Sequence, residues 1–428
     1  MFVLINIYFQ NKMNEELIEA CKAGDINKVL QLVENGANVH VNYDEVLRLA
    51  SENGHLDIVK FFIEKGANIH VYYNSYNYSA LRLASKNGHL EVVKFLIEKG
   101  ADIHDYNDSA LSWALGNGHL EVVKFLIEKG ANIDSCCNLS LLWASGNGHL
   151  EAVKFLFEKG ADIHADRDGA LRQASYNGHL DVVKFLFEKG ADVHADNDVA
   201  LRYASQNGHL DVVKYLFEKG ADIHTGDYYF ALCMASSMGR LEVVKFLVEI
   251  GADVHTLDDS SIRYASQNGR LEVVKYLIEK GADIHAKDND ALHKASKNGH
   301  IEVVKFLIEK GADVHANNDQ ALSRASQKGH LEVVKFLIEK GANVSVLSLG
   351  AKLRLDIPVI WSIKPDNLPP FRDLTECPIT KTEFTDSVSK LGCSCCLNIF
   401  EKSALEDWLK TGNDTCPMCR TGENFYLV

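Results

Sequence analysis

One phrase governs what this chain can fold into. NGHLEVVKFLIEKGADIH, residues 87–104, returns with small changes along most of the sequence. The glycine of its opening turn falls at Gly24, Gly54, Gly88, Gly118, Gly148, Gly178, Gly208, Gly239, Gly269, Gly299 and Gly329. Successive glycines stand thirty residues apart, except for thirty-four before Gly88 and thirty-one before Gly239. Eleven copies of so short a unit specify a stacked array in which each unit touches only its neighbours, because one unit cannot bury its own apolar face. Length alone would divide 428 residues into two or three globular domains. A repeat removes that need.

Within a unit the pattern is two short helices. SALRLASKNG sets Leu81 and Ala84 at helical spacing, and Asn87-Gly88 ends that helix, glycine supplying the left-handed conformation of a tight turn. HLEVVKFLIEKG puts Val92, Val93, Leu96 and Ile97 on one face, with Glu91, Lys94 and Glu98 on the other. Gly100 stops the second helix, and ADIHDYND, rich in Asp and Asn, leads to the next unit as a turn.

The charge balance narrows the partners. Asp and Glu number 59 against 45 Lys and Arg, a formal net charge of −14. An acidic chain with no basic stripe is a poor match for a phosphate backbone, so no nucleic-acid partner is expected. The apolar start MFVLINIYFQ is short for a bilayer, contains Asn6, and lacks the basic region and small-residue cleavage site of a secretory signal. Neither a membrane partner nor secretion is expected, and residues 1–12 read as an extension ahead of the repeats, which open at Met13. Ten cysteines, six of them between Cys377 and Cys419, point to metal rather than disulfides and to a reducing, intracellular setting, the cytoplasm.

The repeated phrase resembles the ankyrin repeat over about four-fifths of the chain, and as a whole it looks like the ankyrin-repeat proteins numerous in giant DNA viruses. The resemblance implies a mainly α solenoid of about eleven helix pairs, residues 13–345, whose concave surface binds a target protein. The usual unit is about three residues longer and opens its first helix with Thr-Pro-Leu-His. Here that opening reads SALR, VALR or DALH, and no proline precedes Pro358, so shorter fingers are expected between helix pairs.

Seventeen of the eighteen histidines belong to the phrase, at the places of His89 and His104. A metal site needs convergent ligands, and a column of equivalent positions does not converge. Hydrogen bonding between repeat backbones is the expectation. Differences between units are left to carry specificity. The two breaks in period hold Tyr72, Tyr73, Tyr76 and Tyr78, and then Tyr228, Tyr229 and Phe230. These are the candidate target-binding residues, stiff rings with polar tips that suit recognition, unless they cover a distorted turn. Trp113, Trp143, Tyr203, Met234 and Tyr264 share one column of the first helix. They either pack between units or form a second binding stripe.

After Ser345 the composition changes. All six prolines lie from Pro358 onward, and residues 346–372 read as a linker. Then come CPIT at 377–380, GCSCCLNIFEKSALEDWLK at 392–410 and TCPMCR at 415–420. A module of this size is small for an unaided core, so a metal or a buried polar network is expected. Cys416-x-x-Cys419 has the chelate spacing of thiolate zinc sites.

These blocks resemble the RING and U-box family of ubiquitin ligases, with FEKSALEDWL the most telling phrase. The resemblance implies a small α+β domain over 373–422 with a tail at 423–428. Thr380, Glu401 and Ala404 stand where a RING carries metal ligands, so its first zinc site is absent, as in U-boxes. For the second site, Cys396, Cys416 and Cys419 fall at ligand positions, and Asn398 falls where the family has histidine. Cys393, or Cys395 as the alternative, would complete one zinc site of four thiolates; the metal-free alternative uses Asn398 as a hydrogen-bond hub. Carried over from the family, Ile379, Trp408 and Pro417 would contact a ubiquitin-conjugating enzyme, and Arg420 would clamp ubiquitin. Such a module has no covalent intermediate and acts by positioning. Two functions follow: a scaffold whose array binds a target while the C-terminal module recruits a conjugating enzyme to ubiquitinate it, or a non-enzymatic interaction protein whose C-terminal region is structural.

Overall fold

The computed structural model describes residues 2–70, 79–133, 136–224, 231–348 and 351–352, together with the backbone of four short strands nearer the C-terminus. Twenty-two α-helices lie among the described residues, as a two-helix unit repeated eleven times requires. The chain divides into two compact units. Unit one comprises Met1–Ala235 and Glu242–Ala252; unit two comprises Ser236–Leu241 and Asp253–Val428.

One repeat of unit one shows how the sequence becomes structure. The second helix, Leu210–Glu218, buries Val212, Val213 and Leu216 completely, each contributing roughly 1.5–3 kcal/mol relative to exposure. The first helix, within Ala195–Asn207, buries Leu201 and Ala204. Small residues at Ala200 and Ala204 allow neighbouring first helices to approach closely. Gly208 ends the helix in the left-handed region (φ 87°, ψ 22°), and the His209 amide donates back to the Ala204 carbonyl at 3.0 Å. The expected helix pair and its glycine stop are present.

The fingers take a form that the sequence alone did not suggest. Asp196, Asn197 and Asp198 all lie in the left-handed helical region, with φ of 55°, 58° and 54°. The same run of three recurs at 42–44, 106–108, 166–168, 257–259, 287–289 and 317–319. One left-handed turn thus stands where a hairpin finger would be, which fits the shortened unit. The conformation costs about 1–2 kcal/mol per residue for ordinary side chains, less for Asn and Asp, so something must hold it.

The third residue of the run does so. Asp198 is buried, and its Oδ1 accepts from His194 Nδ1 at 3.1 Å and from the Asp222 amide of the next repeat at 3.0 Å. Asp222 Oδ1 in turn accepts from the His224 amide at 2.8 Å. The pattern repeats in unit two. There the Asp283 amide donates to Asp259 at 2.8 Å, the His285 amide to Asp283 at 2.8 Å, and His285 Nδ1 lies 3.2 Å from Asn289 Oδ1. A relay of carboxylate, amide and imidazole therefore links successive repeats within each unit. Charge-assisted bonds of this kind contribute about 1.5–3 kcal/mol when buried, enough to offset the turn.

The other histidine column makes a second link. His179 Nε2 donates to the Gly146 carbonyl at 3.0 Å, His209 to Tyr176 at 3.0 Å, and His119 to Lys86 at 2.8 Å. In unit two His300 and His330 do the same to Gln267 and Lys297, both at 3.0 Å. Where the sequence has Arg270 instead, its Nε reaches the Ser237 carbonyl at 3.2 Å. The expectation of backbone hydrogen bonding is met in this column, whereas the rings of the other column bond Asp or Asn side chains.

This column also carries a pH response. Burial pushes His119 and His149 below the usual histidine value, and charged neighbours in the column act the same way: His89 on His119, and His119 and His179 on His149. A lowered folded-state pKa means that the unfolded chain takes up protons first as pH falls. Stability from these groups is therefore fully present above about 6.5 and is lost progressively below it. The urea midpoint of the chain should fall on acidification from pH 7 through pH 6. His119→Asn with His149→Asn should flatten that slope; an unchanged slope would remove the column from the response.

At the N-terminus one helix, Phe2–Ala23, runs through both the expected extension and the opening of the repeats, with Gln10 Nε2 donating to the Gly36 carbonyl at 2.8 Å. Cys21 is buried in it, and burial pushes its thiol up to about 12. In the C-terminal region β1 (Ser362–Ile363), β2 (Lys390–Cys393), β3 (Ile399–Glu401) and β4 (Phe425–Leu427) form a sheet in the order β1-β4-β2-β3. β2 and β3 are antiparallel, with Leu391 opposite Phe400.

Candidate functional site

The first helices present a row of rings in unit one. The side chains one turn into these helices cannot enter the core, because Leu and Ala at the neighbouring positions already fill it. Trp113 is half-buried and Trp143 is exposed, their ring centroids 6.1 Å apart. Lys86 Nζ lies 4.9 Å above the Trp113 ring. Further along, Tyr176 and Tyr203 meet edge to face at 5.5 Å. In unit two Tyr264 is exposed, with Lys294 Nζ 4.3 Å from its ring centre. None of the column Trp113, Trp143, Tyr203, Met234 and Tyr264 is fully buried, and the contact of Trp113 with Trp143 packs one repeat against the next.

Two glycines open the space around Trp143. A Cβ on Gly116 would come within 3.1 Å of Trp143 Cβ, and one on Gly146 would lie 3.4 Å from Gln173 Cβ. On one side of Leu142, a cleft of about 240 Å³ is bounded by Trp143, Gly146, Asn147, Gln173 and Asn177. On the other, a cleft of about 340 Å³ is lined by Asn138, Leu139, Leu141, Asp162, Ala165, Asp166 and Ala170. Leu139 at its mouth is 49% exposed. The second cleft is mainly apolar, the first more polar, and an apolar cleft rimmed by polar groups is the usual form of a recognition surface.

The sequence had singled out only part of this. The tyrosine clusters, Tyr72, Tyr73, Tyr76 and Tyr78 with Tyr228, Tyr229 and Phe230, lie outside the described residues. So do Ile379, Trp408, Pro417, Arg420, Cys395, Cys396, Cys416 and Cys419; Cys393 is described only as the last residue of β2. Leu139, Leu142 and Tyr176 were missed. Their signal was present as departures from the repeat at fixed columns, since Leu142 stands where Arg48, Arg82, Arg172, Arg202 and Arg263 stand in other units.

His293, the one histidine outside the phrase, occupies that same column in unit two. It is buried, which pushes its pKa down, and its Nε2 has no hydrogen-bond partner among the described residues. No group of three or more His, Cys, Asp or Glu side chains among the described residues is placed to hold a metal. None of the described helices is long and apolar enough to cross a membrane.

Comparisons with known proteins agree with this repeat. The family model described as ankyrin repeats in three copies matches residues 17–107, 104–167, 141–227, 201–288 and 262–347. Among solved structures the chain is similar to the crystal structure of the human ASB11 ankyrin repeat domain, at 25% identity and a TM-score of 0.41, over 46% of this chain and 96% of that one. No curated protein matches the chain. Matches that overlap from residue 17 to residue 347, on helix pairs that turn at a left-handed glycine once per unit, place the chain in the ankyrin-repeat family.

Proposed function

We propose that this protein is an interaction scaffold whose array captures a target protein on the first-helix face of unit one. The observation that carries this reading is the pair of exposed rings there, Trp143 at 38% and Tyr176 at 41% exposure, set beside clefts that glycines keep open. A folded monomer gains nothing by leaving such rings in water, and Trp and Tyr are the side chains that most often dominate binding energy. Full-length protein used as bait should retain a partner that the double variant Trp143→Ala, Tyr176→Ala releases, at unchanged helical content. Two truncated anchors should weaken binding by about a hundredfold or more. Retention of the same partners by both proteins would reject this face.

The sequence from 373 to 422 favours a further role, delivery of ubiquitin to the captured target. CPIT, FEKSALEDWL and TCPMCR support it, with Ile379, Trp408 and Pro417 as contacts for a ubiquitin-conjugating enzyme and Arg420 for ubiquitin. Cys393, Cys396, Cys416 and Cys419, with Cys395 as substitute, are a chemically coherent set for one zinc ion, which would tie the segment together. The full chain should speed discharge of ubiquitin-charged conjugating enzymes, and Ile379→Ala and Arg420→Ala should abolish it. Zinc should be found at about one per chain and be lost in Cys416→Ser. No discharge across a broad panel of conjugating enzymes would leave the non-enzymatic scaffold.

A further inference from the structure

We propose that the cleft bounded by Leu139, Leu142 and Asp166 receives a protein segment carrying a bulky apolar side chain with a lysine or arginine close beside it. This names the kind of partner for the face described above and rests on the scaffold reading.

The argument starts from what the array does one repeat later. There Arg167 Nη1 reaches Asp196 Oδ1 at 3.1 Å, and Arg172 Nη1 reaches Asp196 Oδ2 at 3.2 Å. Two guanidinium groups of one repeat thus neutralise the finger carboxylate of the next. Thirty residues earlier the same two positions are Cys137 and Leu142, while the carboxylate is kept as Asp166. No cation of the preceding repeat reaches Asp166 among the described residues. Its one ion pair there is with Arg172 of its own repeat, through Oδ2 at 2.6 Å. Arg172 also serves Asp196, so Asp166 has one shared cation where Asp196 has two.

The exchange of two cations for apolar groups changes both the shape and the chemistry of the joint. One wall becomes Leu139, Leu141 and Leu142; the opposite wall retains Asp162 and Asp166. Gly169 helps to hold the opening, since a Cβ there would come within 2.9 Å of Leu142 Cδ1 and 3.1 Å of Asp166 Oδ2. A cleft of about 340 Å³ has room for a side chain of leucine or phenylalanine size together with some backbone. A cation arriving beside that side chain meets Asp162 and an exposed Asp166 whose one ion pair among the described residues is with Arg172, itself shared with Asp196. An acidic segment would meet Asp162 and Asp166 as like charges.

The test uses the full-length chain as bait for a displayed library of random peptides about twelve residues long. Leu142→Arg restores the arginine that the array itself uses in this column, so it fills the cleft and is expected to fold. Leu139→Lys, at an exposed position, sets a like charge at the mouth and serves as the second block. Enriched peptides should pair an apolar residue with Lys or Arg, and should bind either variant about tenfold or more weakly. Asp166→Asn should remove their dependence on the basic residue. Peptides without a basic residue, no enrichment on the unchanged chain, or equal binding to Leu142→Arg and Leu139→Lys would overturn the proposal. So would a dimer in sedimentation that Leu142→Arg dissolves, which would give the cleft to a second copy of the chain. Peptides indifferent to both blocks but lost in the Trp143→Ala, Tyr176→Ala variant would reject this cleft while leaving the scaffold standing.

Discussion

Replacing Asp259 by alanine should destabilise unit two by about 3 kcal/mol, whereas Asp259→Asn should cost about 1 kcal/mol or less. Asp259 is buried; its Oδ1 accepts from the Asp283 amide at 2.8 Å and from His255 Nδ1 at 3.2 Å. Alanine removes the shared acceptor of both donors and leaves a gap at a buried position, and it tolerates the left-handed φ of 56° less well than Asp does. Asparagine keeps the accepting oxygen. The protein itself carries that substitution one repeat later, where Asn289 Oδ1 accepts from the Asp313 amide at 2.8 Å and lies 3.2 Å from His285 Nδ1. Amide hydrogen exchange in Thr256–Gln267 and Leu271–Glu279 is the suitable readout, because arrays unfold in parts. Equal damage from both variants would mean that charge, not the accepting geometry, holds the finger. No change in either would remove the relay from the stability of the array.

The second large effect concerns one glycine column and has an internal control. Gly299 and Gly329 share the same φ of 79°, so alanine at either position bears the same conformational penalty, about 1–2 kcal/mol. They differ in their surroundings. A Cβ on Gly299 would stand 2.5 Å from His330 Nδ1, while one on Gly329 would meet nothing within 4 Å, since no further histidine of the column follows it. Gly299→Ala is therefore expected to cost about 2 kcal/mol more than Gly329→Ala, the size of an overpacking effect. Differential unfolding in urea checks it. Adding His330→Ala to Gly299→Ala should recover part of the difference, even though it gives up the bond to the Lys297 carbonyl. Equal costs at the two glycines would show that the imidazole moves aside freely and that conformation alone maintains the column.

The array was legible because its signals agree. Val92, Val93 and Leu96 recur at helical spacing, and every unit closes on glycine, so local propensity and tertiary packing make the same demand. The fingers were not legible. Three left-handed residues in succession have no propensity signature, and Asp198 or Asp259 in such a turn looks like ordinary loop polarity until its burial is seen. The sequence marked the carboxylates only as turn formers, although each occupies the same column. Recognition residues were legible where they stood out by size, as at Trp143 and Tyr264. Leu142 was missed because a leucine between helices reads as core. Only its column, filled elsewhere mostly by arginine, marks it as an exchange.

The relay between repeats also limits how this protein can change length. Among the described residues each joint of the relay draws its acceptor from one repeat and its donor from the next, at the same two columns. Units that keep both columns can therefore follow one another without a mismatched partner, and a gene that gains or drops such whole units still encodes working joints. Gains of a few residues do not preserve the match. The two that occur fall after His70 and after His224, where Tyr78 and Tyr229 occupy the column that elsewhere holds Asp or Asn.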